Sequence, residues 1–424
     1  MRFSARTAWD VGESRLARAL RERRERGREI LDLTASNPTR CGFTYDEAGI
    51  LAALGDRAAL VYDPDPRGMR RAREAVCRYY AERDAEVGAE QIFLTTSTSE
   101  AYSWLFRLLC DAGDEVLIAL PSYPLFDFLA QIEDVRLVPY PLVYDHGWQM
   151  DFAGLRERIT PRTKAIVVVH PNNPTGHFTK AEERRELERI CAEKGLALIV
   201  DEVFLDYSYS PHHAKPMRVG GPDSYAESGT PLRGNGSFVD TRSFGAGDHP
   251  ALTFVLSGIS KIAALPQMKA AWIAAFGPER ELKAALDRLE VVADTFLSMN
   301  APVQFALPLW LAGCEPMQEQ IRERTQANLR NLDQALLRNP AITRLEVEAG
   351  WYAVLRVPAM GGDEELAVRL VEERGVSVHP GSFLGFAGDG WLVVSLLGPE
   401  GEFRRGVEEL VGSRELGIGV GNRE

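Results

Sequence analysis

Leu252-Thr253-Phe254-Val255-Leu256-Ser257-Gly258-Ile259-Ser260-Lys261 is an apolar run closed by Ser-Gly and followed, three positions on, by a lysine. Five largely apolar residues with β-branched and aromatic members, stopped by two small ones, read as a buried strand. Runs of the same character lie at 91–96, 115–120, 136–141, 165–170, 197–201 and 271–276. Helical patterns separate several of them, the signature of βαβ units. The chain is therefore expected to be α/β, with a large domain built on a mostly parallel seven-stranded sheet covered by helices. A further helix is expected at 67–83, where Met69, Ala72, Val76 and Tyr80 share one face.

Past residue 276 the pattern changes. Helices are expected at 281–292, 318–337 and 364–373, and strands at 351–357, 376–379 and 391–397 that read as antiparallel, which makes a smaller α+β C-terminal domain. The expected division is an N-terminal segment, 1–48, packing with the small domain, a large domain over 49–290 and a small domain over 291–424. Residues 208–250 are rich in Gly, Pro, Ser and His and lack periodicity, so they read as an irregular insert near the mouth of a site.

With 424 residues, 45% hydrophobic and 26% charged, the chain has ample material for two lobes. Its net charge of −12 argues against nucleic acid or an anionic membrane as partner, since both need a basic footprint. The arginines of Arg21-Glu22-Arg23-Arg24-Glu25-Arg26 are interleaved with glutamates and read as a solvated helix face. Five scattered cysteines in no CxxC pair indicate neither a disulfide framework nor a zinc site. His212 and His213 have no third ligand spaced with them, so no metal is expected. No apolar run approaches a membrane span and residues 1–20 hold no signal-type apolar core, so the expected location is the cytoplasm.

Ligands of parallel α/β sheets bind beyond the carboxyl ends of the strands, which gives weight to polar residues found there. Lys261 follows one such end, Asp201 closes another, and Asn173 follows a third in His170-Pro171-Asn172-Asn173-Pro174-Thr175-Gly176. Thr95-Thr96-Ser97-Thr98-Ser99-Glu100-Ala101 passes from a strand into a helix expected at 101–110. A hydroxyl-rich helix N-terminus offers amides and a positive dipole end to a phosphate, although Ser or Thr followed by Glu is also a routine helix start. No G-x-G-x-x-G follows a strand and no G-K-[ST] occurs, which disfavours a nucleotide-binding dehydrogenase or kinase.

In order along the chain, Asn37-Pro38-Thr39, Tyr62 with Gly68, Pro121-Ser122-Tyr123-Pro124, Asn173-Pro174-Thr175-Gly176, Asp201-Glu202 and Ser257-x-x-Ser260-Lys261 resemble the motifs of class I/II aminotransferases of the fold-type I pyridoxal-phosphate superfamily. The resemblance covers most of the chain. It implies pyridoxal 5'-phosphate as cofactor, with Lys261 forming a Schiff base to its aldehyde and then carrying the proton, work that needs an amine. Asp201 is implied to face the pyridine nitrogen and keep it protonated, Asn173 to donate to the phenolic oxygen, and Tyr123 to stack on the ring. For the phosphate the implied partners are Thr98, Ser99, Ser257, Lys269 and, from a neighbouring subunit, Tyr62. Asn37 belongs to the implied substrate side. A homodimer with shared sites, acting on an amino acid and a 2-oxo acid, is what the family would lead one to expect.

Three positions depart from the family's pattern. Phe204 stands where a tyrosine usually donates to the phenolic oxygen, so one donor is missing. Lys269 stands where arginine is more frequent, a point charge instead of a bidentate fork. Val393, in Trp391-Leu392-Val393-Val394-Ser395, aligns with the arginine that clamps the substrate carboxylate, and valine cannot replace it. Arg40 is the first candidate for that task, with Arg218 and Arg233 behind it. The departure at Val393 also keeps open a lyase or decarboxylase of the same fold.

Overall fold

The computed structural model describes residues 3–9, 11–209, 243–297, 299–358 and 361–412. Its main sheet has eight strands: β1 (Ile92–Thr95), β2 (Glu115–Leu120), β3 (Arg136–Tyr144), β4 (Trp148–Met150), β5 (Thr163–Val169), β6 (Ala197–Asp201), β7 (Thr253–Gly258) and β8 (Ala271–Phe276). Their spatial order is β1-β8-β7-β6-β5-β2-β3-β4. The five central strands β3, β2, β5, β6 and β7 run parallel. β8 is antiparallel to both β7 and β1, because the link from β7 carries only two short turns, Ile259–Ile262 and Pro266–Met268, and no crossover helix that could return the chain in parallel. The seven expected strands are all present. The eighth, β4, is a hairpin return on β3, only three residues long and alternately buried, too short a run to be picked out of the sequence.

β5 through β8 are buried nearly throughout, as strands covered on both faces must be. Alternate residues serve the two faces. Ile199, Phe254, Leu256 and Ile273 pack with Leu105 and Phe106 of helix Thr98–Leu109 and with Leu289 of helix Glu279–Phe296. Leu198, Val200, Val255 and Trp272 pack on the other face with Ala72, Val76 and Tyr80 of helix Arg70–Ala81, Ile190 of helix Ala181–Lys194 and Leu307 of helix Ala301–Ala312. Helix Ala301–Ala312 escaped the sequence reading because it has no polar stripe and carries Pro308 inside.

The second sheet, Thr343–Arg344, Tyr352–Arg356, Trp391–Ser395 and His379–Pro380, is antiparallel throughout. The single strand expected at 376–379 is corrected: Val376 and Ser377 instead pair in parallel with Leu31 and Asp32 in a separate ladder, and only His379–Pro380 joins the sheet. Leu16 and Ala19 of helix Arg15–Glu25 share an apolar core with Leu329 and Leu332 of helix Glu315–Leu336 and Val407 of helix Glu400–Val411. Of the insert expected at 208–250, residues 210–242 lie outside the described residues, and with them His212, His213, Arg218 and Arg233. Among the described residues no helix is long and apolar enough to cross a membrane, and no group of three or more His, Cys, Asp or Glu is arranged to hold a metal.

Candidate active site

Lys261 rides on the helical turn Ile259–Ile262 that directly follows β7. Gly258 permits the close approach behind it, since a Cβ there would lie 2.8 Å from the Ala271 Cβ and 2.9 Å from the Ala270 carbonyl. Lys261 Nζ sits over the Trp351 ring, 4.8 Å from its centroid, and 5.4 Å from the centroid of Phe204. The Lys261 carbonyl accepts the Tyr207 hydroxyl at 2.6 Å, which pins the turn. Loss of hydration pushes the amine's pKa down to about 8, against the opposing pull of the Asp201 charge. A usable fraction of the lysine is therefore a neutral nucleophile near physiological pH.

Asp201 ends β6 and is only 7% exposed. Its Oδ1 accepts the Val203 amide at 3.1 Å and its Oδ2 accepts the Tyr102 hydroxyl at 3.2 Å. Burial raises its pKa to about 6, and those two hydrogen bonds and the Lys261 charge only partly offset it. A protonated ring nitrogen beside this carboxylate would favour its charged form, so the site suits a pyridine cofactor. The His170 amide donates to the Asp201 carbonyl at 2.8 Å and joins the β6 end to the loop that carries Asn173. In that loop Asn172 Oδ1 accepts the Thr175 amide at 3.2 Å and the Thr175 hydroxyl at 2.8 Å. Asn173 itself is half-buried.

The helix after β1 starts three residues earlier than the expected 101–110, at Thr98, with Ser97 as N-cap accepting the Glu100 amide at 3.1 Å. Thr98 and Ser99 thus form its first turn, the position that suits an anion. The Glu100 carboxylate turns back to accept the Thr96 amide at 2.7 Å and hydroxyl at 2.9 Å. Ser257 is wholly buried, its hydroxyl 3.5 Å from the Glu202 carbonyl. Lys269 is exposed, in left-handed backbone conformation (φ 54°), just ahead of β8.

The remaining candidates lie at the margin. Tyr123 is 48% exposed, and Tyr62, 81% exposed, lines an open cleft of about 400 Å³ with Leu60, Asp65, Leu297 and Met299. None of the residues around Lys261 lines that cleft. Asn37 Oδ1 accepts the Thr39 amide at 3.1 Å and hydroxyl at 2.8 Å, capping the turn Pro38–Arg40, and Arg40 is exposed beside it. This segment borders the site, because Cys41 packs in one apolar cluster with Phe204, Tyr207 and Trp351. Val393 is fully buried between Val354 and His379 and packs into the large core, so no carboxylate clamp arises from that strand position.

Lys261, Asp201 and Phe204 are thus brought together, with three residues the sequence reading missed: Tyr102, Tyr207 and Trp351. Phe204 stands edge-on to Trp351 at 5.2 Å and Tyr207 meets the same indole at 5.1 Å. Tyr102, in the second turn of the helix begun by Thr98, had a readable signal once that helix start is known. Trp351 had none, since its contact with Lys261 spans the two sheets.

Residues 47–410 match the family described as aminotransferase class I and II. The glutamate-pyruvate aminotransferase AlaA of Escherichia coli is 27% identical over 299 residues, covering 70% of this chain and 66% of that one. The arginine–pyruvate transaminase AruH of Pseudomonas aeruginosa is 25% identical over 397 residues, covering 92% of this chain and 90% of that one. Among solved structures, an alanine aminotransferase from Pyrococcus furiosus superposes with a TM-score of 0.82 at 22% identity, over 96% of this chain and 98% of that one. With a motif order, a sheet and a lysine–aspartate pair of this kind, and with the family match extending over most of its length, the chain belongs to the class I and II aminotransferases, whose members use pyridoxal phosphate.

Proposed function

We propose that this chain is a pyridoxal-phosphate transaminase that exchanges an amino group between an amino acid and a 2-oxo acid, with alanine and pyruvate as one couple. The observation that carries the reading is the coupling of a half-buried Lys261 amine, its pKa lowered to about 8, with a buried Asp201 carboxylate, its pKa raised to about 6. When bound, the cofactor supplies an aldehyde for the lysine and an electron sink for the substrate's α-carbon. Lys261 would hold the cofactor through its neutral amine, with loss of water from the aldehyde, and would move the proton at the substrate's α-carbon. Asp201 holds the proton at the ring nitrogen, Asn173 donates to the phenolic oxygen, and Tyr123 covers the ring. Thr98, Ser99, Ser257 and Lys269 hold the phosphate, joined by Tyr62 of the partner subunit in a homodimer. Asn37 and Arg40 serve the substrate side, Arg40 taking the carboxylate that Val393 cannot.

The division into an N-terminal segment, 1–48, a large domain and a small domain belongs to the same reading, with the cleft for substrate where the two sheets meet. The expected boundary at 290/291, however, falls inside helix Glu279–Phe296, and helix Ala301–Ala312 packs on the large sheet, so we start the small domain after residue 312. Pyruvate enters because it stands in the names of the E. coli and P. aeruginosa relatives, and alanine because it stands in that of the P. furiosus structure. Those relatives are all aminotransferases or transaminases, which favours amino transfer over the lyase or decarboxylase that Val393 had kept open. Free cysteines and the absence of a membrane-spanning helix among the described residues accord with a cytoplasmic enzyme.

The test is to load the purified protein with pyridoxal phosphate and mix it in turn with alanine and the other common amino acids, following visible absorbance and oxo acid release. Loss of the absorbance band with stoichiometric pyruvate from alanine is expected. Ammonia or carbon dioxide released without formation of a new amino acid would overturn transamination.

A further inference from the structure

We infer that Tyr102 is a positioning residue that orients the Asp201 carboxylate toward the cofactor's ring nitrogen. The inference rests on the function proposed above and concerns a residue outside the motif set. Each Asp201 oxygen takes one hydrogen bond, Oδ1 from the Val203 amide at 3.1 Å and Oδ2 from the Tyr102 hydroxyl at 3.2 Å. The backbone amide alone would leave the carboxylate free to turn about its Cβ–Cγ bond. A second donor on the other oxygen fixes its plane, which sets the direction in which the remaining lone pairs point.

Tyr102 is built to hold still. It is 2% exposed, its ring stands edge-on to Phe126 at 4.9 Å, and it leans on Phe106 at 6.0 Å. Burial drives its pKa well above the usual phenol value, so the hydroxyl stays a donor. The residue also belongs to helix Thr98–Leu109, whose first turn faces the proposed phosphate. One rigid element therefore serves both ends of the cofactor: amides for the phosphate and, one turn on, a hydroxyl for the group that grips the ring nitrogen. The arrangement is absent from the motifs because it depends on a side chain inside the helix, at a separation of 99 residues from Asp201.

The test removes the hydroxyl, keeping the ring in one variant and losing it in the other. Apo-forms of the wild type, Tyr102→Phe and Tyr102→Leu are titrated with pyridoxal phosphate and with its 1-deaza analogue, in which carbon replaces the ring nitrogen. The expected result is that both substitutions weaken pyridoxal phosphate by at least about fivefold (~1 kcal/mol) while changing the analogue's affinity less than about twofold. Equal losses for the two ligands would mean that Tyr102 merely supports the fold, and an unchanged pyridoxal phosphate affinity would mean that it does nothing for Asp201; either overturns the proposal. A wild type that binds pyridoxal phosphate while the variants lose nothing defeats this inference alone, whereas a wild type that binds none defeats the functional reading as well.

Discussion

In the proposed function, Phe204 stands where a tyrosine hydroxyl would donate to the cofactor's phenolic oxygen. Its ring is buried, edge-on to Trp351 and 5.4 Å from Lys261 Nζ, and offers no hydrogen-bond donor at that face. Without that donor a bound cofactor's phenolic oxygen would keep more negative charge, and a proton on the Lys261 nitrogen would be held to higher pH. Phe204→Tyr is therefore expected to lower the pH midpoint of the visible absorbance band by about one unit, which corresponds to ~1.4 kcal/mol. A spectrophotometric titration of both proteins decides it, and a midpoint unchanged or raised in the variant would sink the argument. Asp201 and Lys261 were legible at this scale because the one closes an apolar strand and the other follows one within a turn. Tyr102 was not, because the direction of a helical side chain depends on where the helix starts, and the start at Thr98 is three residues earlier than the hydrophobic pattern implied.

The segment that carries Trp351 to Lys261 is stitched to the large lobe by charge as well as by backbone. Glu348 Oε2 accepts the Phe178 amide at 2.9 Å, its other oxygen pairs with Lys180, and His177 Nδ1 lies 3.7 Å away. His177 Nε2 stands 3.0 Å from Glu183 on its other side. Backbone bonds from Tyr209 to Glu348 and from Gly350 to Tyr207, each 2.8 Å, complete the seam. Gly176 is needed there, since at its φ of 72° a Cβ would come within 2.5 Å of the Ala349 carbonyl. Burial alone would raise the Glu348 pKa, but the facing His177 imidazole and the Lys180 charge carry it down to about 2. For His177 burial opposes the charge, and Glu183 and Glu348 overcome it to raise the pKa above 6.5. A depressed carboxyl contributes its stability above 4.5 and loses it as pH falls toward 2, whereas a raised imidazole contributes below 6.5 and loses it as pH climbs through its folded value. The seam is thus strongest between those limits. Glu348→Gln should cost about 1–3 kcal/mol in urea unfolding near pH 6, and the deficit should shrink toward both extremes. A deficit independent of pH would show that the charges are not what joins the lobes. Elements with a clean period were readable from sequence, as β2, β6 and β8 were to the residue. The seam was not, because its partners lie about 170 residues apart and none of them has a period to betray it.

At the scale of the whole molecule, a chain with a net charge of −12 nevertheless exposes Leu60, Val61, Tyr62, Val291 and Leu297, several of them around one open cleft. Clustered exposed apolar side chains mark surfaces that bind something, and in the proposed homodimer this surface delivers Tyr62 to the other subunit's phosphate. That arrangement makes a prediction no monomer can satisfy. Lys261→Ala and Tyr62→Ala each spoil a different half of a shared site, so both parents should be weak when assayed at limiting pyridoxal phosphate. In a mixed dimer the Tyr62→Ala subunit supplies an intact Lys261, and the Lys261→Ala subunit supplies an intact Tyr62 to that same site. Random exchange after mild dissociation makes half of the dimers mixed, each with one complete site of two, so the mixture should recover about a quarter of the wild-type activity. Light scattering of the wild type should give twice the chain mass under the same conditions. Recovery no greater than the sum of the two parents, from subunits shown to have exchanged, would mean that each site is complete within one chain and that Tyr62 serves another surface.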